Sequence, residues 1–192
     1  MGTVAGLVLA AGGGSRFGGP KALARTPDGD PWLPRAIGTL RAGGCDEVLV
    51  VLGAAAEQAR ALVPPGAHTV VADRWADGMG ASLAAGLAGL PPATAALITL
   101  VDLPGLPVAV VRRLLDAPLT PAVLRRAAYN GRPGHPVLVG EEHWAPLAAT
   151  LSGDRGGRAY LDRHGVLPVE CSDLFDGADV DRSAAGDEAQ RR

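Results

Sequence analysis

Aromatic residues are scarce in this chain, at 4% of 192 positions, so any core must be built mainly from Ala, Val and Leu. Cysteine is scarcer still. Cys45 and Cys171 are the only two, and no His or Cys stands near either at a metal-ligand spacing. Their number excludes a disulfide framework and points to two reduced thiols. An excess of positive charge is also missing: 18 Lys and Arg against 20 Asp and Glu leave a net charge of −2. A general nucleic-acid binder is thereby excluded, although a local basic pocket is not. No apolar run approaches the ~20 residues of a membrane helix. The apolar opening "MGTVAGLVLAA" imitates a signal peptide but has no Lys or Arg before it. The expectation is a soluble, cytoplasmic protein.

What is present has an ordinary globular balance, 47% hydrophobic and 20% charged, with a length that suits one domain. Short apolar runs alternate with helix-period segments. Strands are expected at 4–10, 47–53, 68–73 and 95–102, and their continuous apolar character suits burial on both faces. Helices are expected at 34–42, 54–63, 80–90 and 107–117, the last with Val108, Val111, Leu114 and Leu115 on one face. This rhythm implies an α/β fold: one Rossmann-like, doubly wound, mostly parallel sheet. The second half changes style. Strand-like runs flank Asn130–Gly131 and predict a hairpin or antiparallel element. Helices at 141–151 and 157–164 and a strand at 166–170 follow. The small, polar residues 183–192 read as a disordered tail.

The first strand runs into "LAAGGGSRFGGPK", residues 9–21. A Walker A loop needs Gly before its Lys and Ser or Thr after it, but Lys21 stands between Pro20 and Ala22. A dinucleotide fingerprint from Gly12 needs Gly where Phe17 stands, and one from Gly13 meets Ser15. Neither familiar loop fits. Gly12, Gly13 and Gly14 still permit a sharp turn close to a ligand, with amides able to surround an anion. Arg16 offers a planar fork to phosphate oxygens and Lys21 a mobile point charge. A flexible surface turn would carry the same glycines. A cationic pair directly after a buried strand, where α/β sheets bind ligands, favours phosphate binding.

On these residues the chain resembles the MobA-like NTP transferases, whose signature reads LAAG-x-S/G-x-R-x-G-x-x-K, and among them the molybdenum cofactor cytidylyltransferases. "WADGMGASLAAGL" (75–87), "LVDLPGLP" (100–107), "GRPGHPVLVG" (131–140), "GDRGGRAYLDRHG" (153–165) and "DVD" (179–181) recur in the family in that order. The resemblance spans roughly residues 3–182. It implies a nucleotidyltransferase domain over 1–182, with a nucleotide-binding half near 1–106 and an acceptor-binding half near 107–182. Its implied reaction moves CMP from CTP to the phosphate of molybdopterin, releasing pyrophosphate, with Mg²⁺ as the cofactor. A client molybdoenzyme or its chaperone is the implied macromolecular partner, with no nucleic acid or membrane.

The resemblance assigns nucleotide binding to Leu9, Ala10, Ala11, Gly12, Gly13, Gly14, Ser15, Arg16 and Lys21. It adds Gly78, Gly80 and Ser82, which could admit ribose or base, although Ser82 also suits a first helical turn. Asp102, at the end of a buried strand, would hold Mg²⁺; outside the family it reads as a turn or cap residue. Asp181 is the second metal ligand by position, with Asp179 as the alternative. The family continues after this acid as T-P-E-D, whereas Arg182–Ser183–Ala184–Ala185 follow here. Catalysis would fall to Arg16, Lys21 and Asp102. His135 and Arg158 are implied at the acceptor, and His135 equally suits a structural role satisfying loop carbonyls. Asp154 and Arg155 accompany Arg158 in "GDRGGR", with Asp154 read as a helix-start residue. Ala11, where guanylyl-transferring relatives carry Gly, narrows the slot beside the base and favours a pyrimidine. A guanylyl transferase, a transferase for another small phosphorylated acceptor, and a non-catalytic nucleotide-binding accessory protein are the alternatives.

Overall fold

A computed structural model describes residues 2–181. The tail reading at 183–192 lies outside the described residues. Strands form at Val4–Ala10 (β1), Glu47–Leu52 (β2), His68–Val71 (β3), Ala95–Leu100 (β4), Leu124–Tyr129 (β5), Arg132–Gly140 (β6) and Leu167–Glu170 (β7). Helices form at Trp32–Gly43 (α1), Ala56–Arg60 (α2), Met79–Ala88 (α3), Val108–Leu115 (α4), Trp144–Thr150 (α5) and Arg158–Arg163 (α6). The seven strands make one sheet in the order β3-β2-β1-β4-β6-β5-β7. The first four are mutually parallel, β6 runs antiparallel to both β4 and β5, and β7 is parallel to β5. This is the α/β sheet expected, parallel where strands alternate with crossover helices and mixed where the hairpin enters.

Both faces of the sheet are covered, which explains the unbroken apolar strands. Along β1, Val4, Val8 and Ala10 join one core with Leu33, Ile37 and Leu40 of α1 and Val110, Val111 and Leu114 of α4. Leu7, Leu9 and Ala11 point the other way, to Leu83 and Leu87 of α3, Leu147 of α5, and Tyr160 and Leu161 of α6. Alternate residues therefore feed opposite cores, and neither face could be polar.

Some boundaries move for local reasons. α1 begins at Trp32, two residues before the expected start, because Pro34 sits in the first turn, where a missing N–H costs nothing. The helix expected over 54–63 shrinks to α2, since Ala55 takes a left-handed φ of 55° at its start. β4 stops at Leu100, so Asp102 sits in the turn beyond the strand. Among the described residues no helix is long and apolar enough to cross a membrane.

Candidate active site

β1 delivers the glycine-rich turn to the carboxyl edge of the parallel strands. The Gly14 carbonyl accepts hydrogen bonds from the backbone N–H groups of Phe17, Gly18 and Gly19 at 3.0, 2.9 and 3.1 Å. Gly14 has a φ of +63°, and the Gly19 carbonyl fills the space any Cβ would need. The turn itself therefore demands Gly14. Of the two roles expected for these glycines, a sharp turn and close approach to a ligand, Gly14 serves the turn. Gly12 faces open space, while Gly13 lies against the six-membered ring of Trp75, 3.3 Å from where its Cβ would stand.

Leu9, Ala10, Ala11, Gly12, Gly13, Gly14, Ser15 and Arg16 line one side of a cleft of about 660 Å³. Arg16 is exposed there and takes part in no ion pair among the described residues. Trp75, Gly78, Met79 and Ser82 come from the β3–α3 connection and the start of α3, and also line the cleft. Gly78 has a φ of +117°, and a Cβ on it would stand 2.6 Å from Asp154 Oδ1. Gly80 departs from expectation. It does not line the cleft; its N–H donates to the Gly153 carbonyl at 2.9 Å, and its bare Cα leaves room for the 152–155 segment. Asp154, carried in by that packing, does reach the cleft rather than opening a helix.

The charged end is assembled from three distant segments. Lys21 Nζ donates to Asp102 Oδ2 at 2.9 Å and to Asp181 Oδ1 at 2.9 Å. Burial favours the neutral lysine, but its hydrogen bonds to Asp102 and Asp181 prevail and raise its pKa above 10.5. Asp179 and Asp181 reach the site because the Val180 N–H donates to the Asp102 carbonyl at 3.0 Å. One carboxylate oxygen from each of Asp102, Asp179 and Asp181 falls within 4.8 Å of the others. The expected choice between Asp179 and Asp181 thus becomes a site in which both are available. Asp102 Oδ1 is buried without a hydrogen-bond partner. An orphaned carboxylate oxygen on one member of an all-oxygen donor set fits a hard divalent cation such as Mg²⁺ or Mn²⁺.

The acceptor-side residues separate. His135, joined to Pro136 by a cis peptide bond, does not line the cleft. Burial lowers its pKa against the pull of Asp102 and, more weakly, Asp179, while Arg126 adds to the lowering. It therefore stands electrostatically beside the acid cluster. Arg158 does not: its side chain is 76% exposed and pairs with Asp162 one turn along α6 at 3.7 Å. Phe17, Trp75 and Met79 line the cleft although none was singled out in sequence. For Trp75 the signal was available, since it opens the "WADGMG" segment, but it carries no chemistry of its own.

Residues 6–168 match the MobA-like NTP transferase domain, and the chain belongs to this family. The chain is also 40% identical over 190 residues to nicotine blue oxidoreductase of Paenarthrobacter nicotinovorans, covering 93% of this chain and 92% of that protein. Among solved structures it resembles Rv0371c of Mycobacterium tuberculosis H37Rv at 30% identity and a TM-score of 0.79, covering 98% of this chain and 96% of that one. It likewise resembles a manganese complex of Rv0371c, at 28% identity and a TM-score of 0.75, with 98% and 97% covered.

Proposed function

We propose that this chain transfers CMP from CTP to the phosphate of molybdopterin. The observation that carries the reading is one cleft in which the glycine-rich turn faces Lys21, Asp102 and Asp181. An acceptor phosphate oxygen attacks the α-phosphorus, the bond from α-phosphorus to its bridging oxygen breaks, and pyrophosphate leaves. A phosphate monoester has its second pKa near ~6, so the nucleophile is already ionised at neutral pH and needs no general base. The protein's task is positioning and charge neutralisation. A divalent cation held by Asp102, Asp181 and Asp179 would polarise the α-phosphate. Arg16 and Lys21 neutralise the departing pyrophosphate. His135, near the acid cluster, would meet the acceptor as a neutral imidazole, adding no charge beside the carboxylates. In this reading the nucleotide half ends near residue 106 and the acceptor half follows.

The manganese complex of Rv0371c supports a divalent cation as cofactor, and the three carboxylates offer it a place. CTP rather than GTP is favoured by Ala11, which lies buried at the edge of the cleft where guanylyl-transferring relatives carry Gly. The test is pyrophosphate release and product mass with CTP, GTP, ATP and UTP, each with Mg²⁺ and reduced molybdopterin. CTP is expected to be preferred. Preference for GTP would overturn the base assignment, and no release with any of the four would overturn the transferase reading with this acceptor.

A second reading, reduction of a planar dye in the same cleft, is favoured by the 40% identity to nicotine blue oxidoreductase. Neither Cys45 nor Cys171 lines the cleft, so electrons would have to come from a bound donor such as a reduced nicotinamide dinucleotide. Dye-dependent oxidation of NADH or NADPH, followed by absorbance, separates the two.

A further inference from the structure

The strand order supplies a direction for whatever occupies the cleft. Asp102 follows β4 and is joined there by Asp179 and Asp181 from the segment after β7, the glycine-rich turn follows β1, and Trp75 follows β3, with β2 between β1 and β3. From the end of β3 the Trp75 side chain reaches back over Gly53, after β2, to Gly13 in the glycine-rich turn, so the cleft runs from the acids past the turn to the indole. An extended nucleoside triphosphate matches such a span: its phosphates at the turn and the acids, its flat base toward β3. Trp75 stands where that base would arrive.

The indole is held in place. A Cβ on Gly53 would stand 2.6 Å from Trp75 Cβ and 2.7 Å from its Cγ, so the bare Gly53 admits the root of the side chain. A Cβ on Gly13 would crowd the six-membered ring at 3.3 Å, so the bare Gly13 leaves the ring its room. The backbone is pinned too, with the Trp75 N–H on the Ala72 carbonyl at 3.0 Å and the Gly78 N–H on the Trp75 carbonyl at 3.2 Å. Yet the side chain is only partly buried, lines the cleft, and spends its indole N–H on no partner among the described residues. The other two tryptophans are occupied elsewhere: Trp32 is buried against Phe17, and Trp144 donates its indole N–H to the Val139 carbonyl at 2.9 Å. A rigid, partly open aromatic surface lining the cleft beside the glycine-rich turn is a stacking platform.

We infer that Trp75 is the base-binding wall of the cleft, stacking on the nucleobase while the glycine-rich turn and Lys21 take the phosphates. This rests on the transferase reading, because it needs a nucleotide in the cleft. Every base has a π-face, so Trp75 supplies affinity for a nucleobase as a class, and the choice of base falls to its neighbours.

The test uses the full chain and compares CTP with inorganic tripolyphosphate, both with Mg²⁺, by calorimetry and tryptophan fluorescence. Trp75→Ala is expected to weaken CTP binding about 10- to 100-fold and tripolyphosphate less than about 3-fold. Trp75→Phe should retain most of the affinity for CTP. In the wild type CTP should quench the emission, tripolyphosphate should not, and Trp75→Phe should abolish the quench. The fluorescence arms decide the matter even if Trp75→Ala fails to fold. Equal loss of both ligands in Trp75→Ala would reduce Trp75 to a support of the turn and overturn the proposal, as would CTP binding without a Trp75-dependent quench. A wild type that binds tripolyphosphate and none of the four nucleotides overturns it as well, and the transferase reading with it.

Discussion

At the scale of single residues, Lys21 has two sets of partners to serve. In the structure it neutralises Asp102 and Asp181, and in the proposed reaction it turns to phosphate. Lys21→Ala and Asp102→Asn are each expected to lower kcat by roughly 10²–10³ at saturating CTP and Mg²⁺, the usual cost of removing one preorganised charge. Arg158→Ala, on the exposed face of α6, should change it less than about 3-fold. Single-turnover rates check all three. Cys45 makes a separate prediction. Burial, with a smaller contribution from Asp46, pushes its thiol up from 9.0 to about 12. The folded thiol therefore stays protonated and should resist alkylation at pH 8 until denaturant is added, as read by mass. Because the folded pKa is the higher one, its contribution to stability is complete below pH 9 and falls as pH rises toward 12.

At the scale of elements, the β5–β6 hairpin shows local chemistry and a distant partner acting together. Asn130 and Gly131 take φ values of 52° and 72°, the left-handed pair that a two-residue turn between twisted strands requires. Glu170, at the end of β7, accepts from the backbone N–H groups of Asn130 and Gly131, each at 3.1 Å. It also accepts from the Ser172 hydroxyl, and these bonds lower its pKa from 4.5 to about 2, the Ser172 hydroxyl contributing most. A depressed carboxyl contributes its stability above pH 4.5 and loses it as pH falls through about 2. Glu170→Gln should therefore flatten the acid limb of the thermal midpoint plotted against pH. An unchanged limb would mean solvent screens these exposed bonds.

At the scale of the whole molecule, the acid cluster exists because the segment after β7 returns to β4. Leu174, Phe175 and Val180 pack against the main core, and Phe175 meets Tyr129 edge-on with ring centroids 5.6 Å apart. Val180 then bonds the Asp102 backbone and places an aspartate on either side of itself. Ending the chain after Gly177 keeps the packed aromatic and removes both aspartates. That variant should retain the circular dichroism of the full chain and bind Mn²⁺ at least about 10-fold more weakly, because one carboxylate remains where three stood. Calorimetry with Mn²⁺ measures it.

Much of this was legible in the chain. The buried strands, the Asn130–Gly131 hairpin and the glycine-rich turn follow from local causes: apolar runs, a two-residue turn pair, and backbone that only glycine can adopt. Lys21, Asp102 and Asp181 were legible as types, through the family they resemble. What only the tertiary structure decided was their meeting, since Lys21 and Asp181 lie 160 residues apart and join through strand order and a returning segment. It also decided that Gly80 packs behind the cleft, that Arg158 faces outward and that Trp75 faces in. Periodicity tells a side chain which face of its own element it occupies; only the packing of the other elements determines what that face meets.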